Sequence, residues 1–345
     1  MPHLPDDLVE EVFLRFPPDE PATLLRASLA TDLFTSPAFR QSYREFHGAP
    51  PMMGFFFERP SCLRGEEEDP PLCFISTAKF SACVPLFLSC RTSSFGALDC
   101  RHGRVLLMDH SGPEKLVVWD PMTGSTRELM GPNKNFDISQ AAVLCAMNGC
   151  DHRACHGDPF KIVCFTMDRE EDRRAVLVND ALYVLLVDVE GILKYSLSSY
   201  ALSCIDASDD EFAFSPDVIL MAMEDGTLGF ASVDSILTLH MWSRQIDSEG
   251  GVASWTRGRV VDLKNHLPLE MPKRGLTLLG SVEGSDIIFV NTELDVCEID
   301  LKTLDWKVRL KGDFFSALIP YMSFYYPPER KAKSCHKKDV GHGIG

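Results

Sequence analysis

The chain has no apolar run of the roughly 18 residues that a membrane-spanning helix needs. Its richest run, Ala181-Leu182-Tyr183-Val184-Leu185-Leu186-Val187, is only strand length. The opening Met1-Pro2-His3-Leu4-Pro5-Asp6-Asp7 lacks the basic and apolar segments of a secretory leader. No Asn-x-Ser/Thr acceptor occurs anywhere. The 12 cysteines are scattered through 345 residues, well below the density of a disulfide scaffold. A reducing compartment is therefore expected, cytoplasmic and/or nuclear, with most cysteines acting as small buried apolar groups. Also missing are Gly-x-Gly-x-x-Gly, a Walker-type loop, His-Glu-x-x-His and the Gly-x-Ser-x-Gly elbow. No catalytic residue and no cofactor is assigned, and the chain is read as a non-enzyme.

What remains is ordinary for a globular protein: 45% apolar and 24% charged residues, long enough for two domains of unequal size. The formal net charge is -16. The tail 329–345 runs against that sign, with five basic residues and two acidic ones, so the body is more acidic still. An acidic body repels phosphate backbones, which argues against a nucleic-acid partner. The tail reads as a basic, disordered end.

The first fifty residues show more apolar surface than so short a module can bury by itself. Pro5 suits the start of a helix, and Asp6 and Asp7 suit its positive end. Leu8, Val9, Val12, Phe13 and Phe16 recur on one helical face. Pro17-Pro18 stops that helix. Pro21 opens a second, in which Leu24, Leu25, Ser28 and Leu29 share a face, and Ser36-Pro37 through Phe46 forms a third that ends near Gly48. From pattern alone this is either a docking module or a helical cap on the following domain.

Leu4-Pro5-x-x-Leu8 with its helix, Pro17-Pro18-Asp19-Glu20-Pro21, and Leu25-Arg26-Ala27-Ser28-Leu29 together resemble an F-box. Arg44 through Phe56 is similar to the segment after the F-box in a large plant (grass-type) family of F-box proteins. Ala141 to Cys145, Gly149 to His152, Pro159-Phe160, Asn179 to Tyr183, Asp225 to Gly229 and Tyr321 to Tyr325 are similar to that family's associated domain. The resemblance implies docking on the Skp-type adaptor of a cullin–RING ubiquitin ligase, with the rest of the chain capturing a protein substrate. The implied docking face is Leu4, Pro5, Leu8, Val12, Leu14, Leu24, Leu25 and Ser28. One departure stands out: where the family has a Trp-containing helix after Ala27-Ser28-Leu29, this chain has the shorter Ala30-Thr31-Asp32-Leu33-Phe34-Thr35-Ser36.

From about Met52 onward the pattern is of many short strands. Gly103–Asp109 and Leu116–Asp120, Ala181–Asp188 and Gly191–Leu197, Gly226–Val233 and Ile236–Trp242, and Asp286–Asn291 and Leu294–Asp300 each read as two strands joined by a polar turn. The unit recurs at very roughly 45 to 60 residues, near the kelch-like blade length. A degenerate propeller is expected ahead of a sandwich. The four tryptophans (119, 242, 255 and 306) are placed at strand ends, packing between blades. The runs 63–71 and 168–174 read as solvated loops.

Cys150-Asp151-His152-Arg153-Ala154-Cys155-His156 is the one cluster with metal-type ligands. Its spacing is neither Cys-x-x-Cys nor His-x-x-x-His, and four ligands in seven residues would strain one loop. It reads as a loop with Cys150 or Cys155 tucked into the core, and no metal ligand is assigned. His240, in an apolar strand, reads as a satisfied buried side chain.

The expected fold is therefore α+β and multidomain: an F-box-like helical module over 1–50 with a truncated third helix, a large all-β, degenerate kelch-like propeller over 51–328, and the basic tail over 329–345. The expected function is substrate recognition for a ubiquitin ligase, with no nucleic acid and no membrane as partner. Two other readings stand beside it: a decayed F-box protein whose β domain alone binds, and a propeller lectin or enzyme with Asp, Arg or His side chains converging in its central channel.

Overall fold

The computed structural model describes residues 5–58, 72–77, 95–109, 115–131, 138–147, 150, 155, 159–166, 174–186, 191–206, 218–246, 253–266, 276–292, 295–311 and 318–326. Leu4, the acidic run 63–71, most of the charge run 168–174 and the basic tail lie outside them.

Three short helices come first: α1 (Asp6–Leu14), α2 (Pro21–Ser28) and α3 (Pro37–His47). Pro5 caps α1, its carbonyl accepting from the Leu8 and Val9 N–H groups. Pro21 opens α2, where its missing N–H costs no hydrogen bond. Gly48, at φ +70°, ends α3 with its N–H on the Arg44 carbonyl. The short connection between α2 and α3 forms a single 3-10 turn, Leu33–Thr35, with Phe34 buried.

Strands follow in chain order. β1 (Met52–Glu58) and β2 (Leu72–Ser76) pair first. Then come the antiparallel sheet β3 (Phe95–Arg101), β4 (Arg104–Asp109), β5 (Lys115–Trp119), β6 (Thr126–Met130), and the pair β7 (Gln140–Cys145), β8 (Phe160–Phe165). Three further four-stranded sheets are β9 (Val176–Val178) to β12 (Leu202–Asp206), with β10 (Ala181–Leu186) and β11 (Gly191–Ser196) between; β13 (Val218–Ala222), β14 (Leu228–Val233), β15 (Thr238–Ile246), β16 (Ala253–Asp262); and β17 (Thr277–Ser281), β18 (Ile287–Asn291), β19 (Asp295–Asp300), β20 (Trp306–Lys311). The last strand, β21 (Leu318–Met322), returns to pair with β1.

This is a propeller arrangement. Among the described residues, four four-stranded sheets and the three-stranded sheet β2-β1-β21 form five blades, and the two-stranded sheet β7-β8 stands between two of them. One edge strand of each sheet touches that of a neighbour: β21 meets β3, β3 meets β7, β9 meets β13, β13 meets β17 and β17 meets β21. Burial follows that order. β7 and β13 are buried at every residue, whereas β6, β12, β16 and β20 are mostly exposed or half-buried. A strand buried on both faces is continuously apolar, as Val218-Ile219-Leu220-Met221-Ala222 is. β21, the last described strand, pairs with β1, the first, so the sheet β2-β1-β21 joins the two ends of the described β region.

The helices are seated on this closure. Leu24, Phe34, Phe39 and Tyr43 share one apolar core with Met53, Phe56, Tyr321, Phe324 and Tyr325. The Tyr43 ring meets Phe324 edge-on at 5.9 Å, and its hydroxyl donates to the Phe16 carbonyl at 2.7 Å. The Tyr326 hydroxyl lies 3.2 Å from Arg44 Nη1, which donates to it, and itself donates to the Arg40 carbonyl at 3.4 Å.

The expected strand pairs all form. Trp242 differs from expectation: it lies within β15, stacked on Phe230 with centroids 4.6 Å apart, because its cross-strand partner is that ring. Arg174 also differs. It is turned inward from the charge run to the Asp99 carboxylate, 2.8 Å away.

Candidate functional site

α1 and α2 each have two faces. Inward, Phe13, Leu14, Phe16 and Ala27 pack on the shared core, and Leu24 is sealed at 1% exposure. Outward, Leu8 (47% exposed) and Val12 (51%) form an i, i+4 stripe on α1, and Leu25 (38%) and Leu29 (67%) form another at α2. Pro5 is exposed and Ser28 half-buried, its hydroxyl donating back to the Leu25 carbonyl at 2.7 Å. Of the residues that the sequence places on the docking face, Leu8, Val12 and Leu25 point to solvent. Leu14 and Leu24 point into the protein, where they support the face from beneath. Leu29, which the sequence places on the same helical face but not in the docking set, is also exposed. Polar groups on the same helix are locally engaged, as Arg15 is with Glu11 at 2.7 Å.

A second constellation lies where the first strands of the sheets converge. Asp99 in β3 is fully buried and accepts from Arg101 at 2.5 Å, Arg174 at 2.8 Å and the Val143 N–H of β7 at 2.8 Å. Arg101 also donates to the Ala175 carbonyl at 2.6 Å and to both oxygens of Glu283, one of them at 3.0 Å. Glu283, in the turn after β17, accepts from the Leu177 N–H of β9 at 3.1 Å. Two carboxylates and two guanidiniums thus tie four sheets together. Burial alone would raise both carboxyl pKa values, but the Arg101 and Arg174 charges outweigh it and hold both below the usual range. The set is charge-balanced, and a carboxyl held down in this way is poorly placed to act as a general acid near neutral pH.

A third cluster is made of thiols. The sulfurs of Cys145, Cys150 and Cys155 lie within 4.8 Å of one another. Cys155 Sγ is also 3.0 Å from His102 Nδ1. The sequence reading sought ligands within residues 150–156, whereas this set draws on the end of β7 and on the β3–β4 turn. The even spacing Cys145-x4-Cys150-x4-Cys155 was the available signal. Asp151, His152 and His156 lie outside the described residues. His240 is satisfied, its ring nitrogens 3.0 Å from Asp234 and 2.9 Å from Arg257.

No protein family's sequence profile matches the chain, and no curated protein matches it. Among solved structures it is similar in part to the nidogen/laminin complex (TM-score 0.40, 9% identity, covering 79% of this chain and 99% of that one). It is also similar to the extracellular domain of a hybrid two-component system from B. thetaiotaomicron (TM-score 0.34, 15% identity, 64% of this chain and 28% of that one). A third is the WD40 domain of SCAP from fission yeast (TM-score 0.21, 13% identity, 65% and 43%). The chain therefore spans under a third of the length of the two-component-system domain.

Proposed function

We propose that this chain is the substrate-recognition subunit of a cullin–RING ubiquitin ligase. Its N-terminal helices would dock on a Skp-type adaptor, and its β domain, read as a degenerate kelch-like propeller, would hold a protein client. It would work in the cytoplasm and/or nucleus and carry no catalytic step of its own. The observation that supports this is the outward face of α1 and α2: Leu8, Val12, Leu25 and Leu29 stay exposed while the opposite faces are anchored in the core. Burying a fully exposed aliphatic side chain contributes roughly 1.5–3 kcal/mol. Four half-exposed ones can therefore contribute several kcal/mol toward association. The helices are already folded and seated, so docking would carry little ordering cost.

The test is a pull-down with purified Skp-type adaptor. Leu8→Asp and Val12→Asp are expected to lower adaptor affinity by about tenfold or more. Ile236→Asp, which changes a residue equally exposed but on the β14–β15 turn, is expected to leave it unchanged. Equal recovery of adaptor by the wild type and Leu8→Asp would remove the docking face.

A specific feature favours a second reading, the decayed F-box protein. The shortened Ala30–Ser36 connection turns its one aromatic, Phe34, inward between Phe13 and Phe39, at 5.3 and 5.1 Å, and so adds nothing to the outer face. In that case the helices serve only as a lid. A micromolar or tighter adaptor affinity rejects it.

A further inference from the structure

We propose that Cys145, Cys150, Cys155 and His102 form a structural zinc site that fastens the β7–β8 loop to the β3–β4 turn. Three thiol sulfurs within 4.8 Å of one another have the compactness of a zinc site, and the His102 imidazole nitrogen, 3.0 Å from the Cys155 sulfur, offers the fourth ligand of a Cys3His set. Four protein ligands close a tetrahedral zinc site and leave no open position for substrate, so the role is structural. Sulfurs at about 2.3 Å from zinc are roughly 3.8 Å apart, so the three thiols need only small side-chain movements to share one ion, and the His102 ring turns in from the β3–β4 turn to join them.

The backbone is already arranged for it. Ala146 N–H donates to the Pro159 carbonyl at 3.0 Å and Cys145 pairs with Phe160, which pins the neck of the loop that carries Cys150 and Cys155. The Met147 N–H donates to Cys145 Sγ at 3.4 Å, which orients that sulfur at the end of β7. His102 is held at φ +55° beside Gly103 at +73°, in the tight turn between β3 and β4, so its ring is presented from a fixed point. Binding displaces three thiol protons to solvent and leaves the imidazole neutral, giving a centre of net charge -1. Arg104 and Arg127 lie over the ring of Phe160, 5.3 and 5.4 Å from its centroid, and so place two positive charges beside the strand partner of Cys145. The need is visible in the fold. Among the described residues β7-β8 is the only two-stranded sheet of the ring, and a metal clamp would supply the anchorage that further strands give its neighbours.

The test uses the full chain, purified under reducing conditions without chelator, with zinc measured by elemental analysis. About one zinc per chain is expected, falling below about a tenth in Cys155→Ser and in Cys150→Ser. Cys204→Ser, at an exposed residue of β12, is expected to keep it. His102→Ala is expected to lower zinc affinity about tenfold or more, and His102→Cys to restore it. Should the cysteine variants fail to fold, cobalt added to the stripped wild-type chain decides: tetrahedral d–d bands with sulfur-to-cobalt charge transfer support the site. A wild-type chain that holds neither zinc nor cobalt overturns it. So do a Cys145–Cys155 or Cys150–Cys155 disulfide in place of metal, zinc retained undiminished in Cys155→Ser, and unchanged affinity in His102→Ala.

Discussion

Arg101 is the residue on which the inner ring turns. Its guanidinium is nearly all buried and faces two carboxylates, Asp99 and Glu283, that hold strands from four sheets. Removing it leaves buried negative charge with too few partners, which typically costs about 3–5 kcal/mol. Arg101→Met is therefore expected to lower unfolding free energy by about that much at neutral pH, measured by urea denaturation. The pH dependence has a definite sign. Both carboxyls have native pKa values below their unfolded ones, so their contribution is complete above the ordinary carboxylate range. It is lost as pH falls through that range toward the depressed native values. Wild-type stability should fall on acidification below about pH 4. The deficit of Arg101→Met should shrink over the same window, since protonation removes the unpaired charges. A deficit that stays constant or grows on acidification would show that the cluster does not act as charge. None of this was legible in the sequence: the Asp99/Arg101 pair, Arg174 and Glu283 come from three distant segments of the chain, and the Arg174 run read as a solvated loop.

At the scale of the element, one turn recurs in three sheets. At the end of the third strand, Asp120, Ser196 and Asp300 each receive, through a side-chain oxygen, the N–H of the residue three further on, at 3.3, 3.4 and 3.2 Å. Each donates its own N–H to the carbonyl five residues on, at 2.9, 2.9 and 2.8 Å. The residue four further on is left-handed in every case: Gly124 at φ +73°, Tyr200 at +56° and Leu304 at +61°. Glycine adopts that conformation freely, and an L-residue pays roughly 1–2 kcal/mol for it. Tyr200 is 73% exposed, so replacing it loses little packing. Tyr200→Val, β-branched at positive φ, is expected to lower stability by about 1 kcal/mol or more. Tyr200→Gly should stay within about 0.5 kcal/mol of wild type, because relief of strain is offset by extra freedom in the unfolded chain. A valine variant as stable as the wild type would remove the conformational role of that position. The paired strands and the polar turns that join them were readable because alternation and turn chemistry are local. The shared turn was not recognised as a repeat, because Tyr and Leu stand where the first copy has Gly. The outward stripes of α1 and α2 were readable as amphipathic periodicity. Which apolar residues would be claimed by the core was not, because Leu24 and Leu25 differ only in which side of one turn they occupy.

For the molecule as a whole, the seating of the helices decides how it unfolds. Their core is continuous with that of the closing sheet: Phe39 and Tyr43 pack with Phe324 and Tyr325, just beyond β21, and Trp119 of the neighbouring sheet belongs to the same cluster. The Ser323 N–H donates to the Pro51 carbonyl at 3.3 Å, at the junction of the helical module and β1. Loss of β21 would open the ring and remove the floor of the helices at once, so neither can melt without exposing the other's apolar face. The helical far-UV circular dichroism and the tryptophan fluorescence are therefore expected to share one midpoint in urea. Phe324→Ala, a truncation that in a packed core costs about 3–5 kcal/mol, should move both signals together. A helical signal that disappears at lower urea, with the fluorescence transition unmoved, would show the module to be an independent unit. The same coupling bears on docking. A face held rigid by the ring presents Leu8, Val12, Leu25 and Leu29 in one arrangement, so under the proposed docking Phe324→Ala should weaken adaptor binding without touching the adaptor. It should do so in proportion to the loss of the folded helical signal, not beyond it.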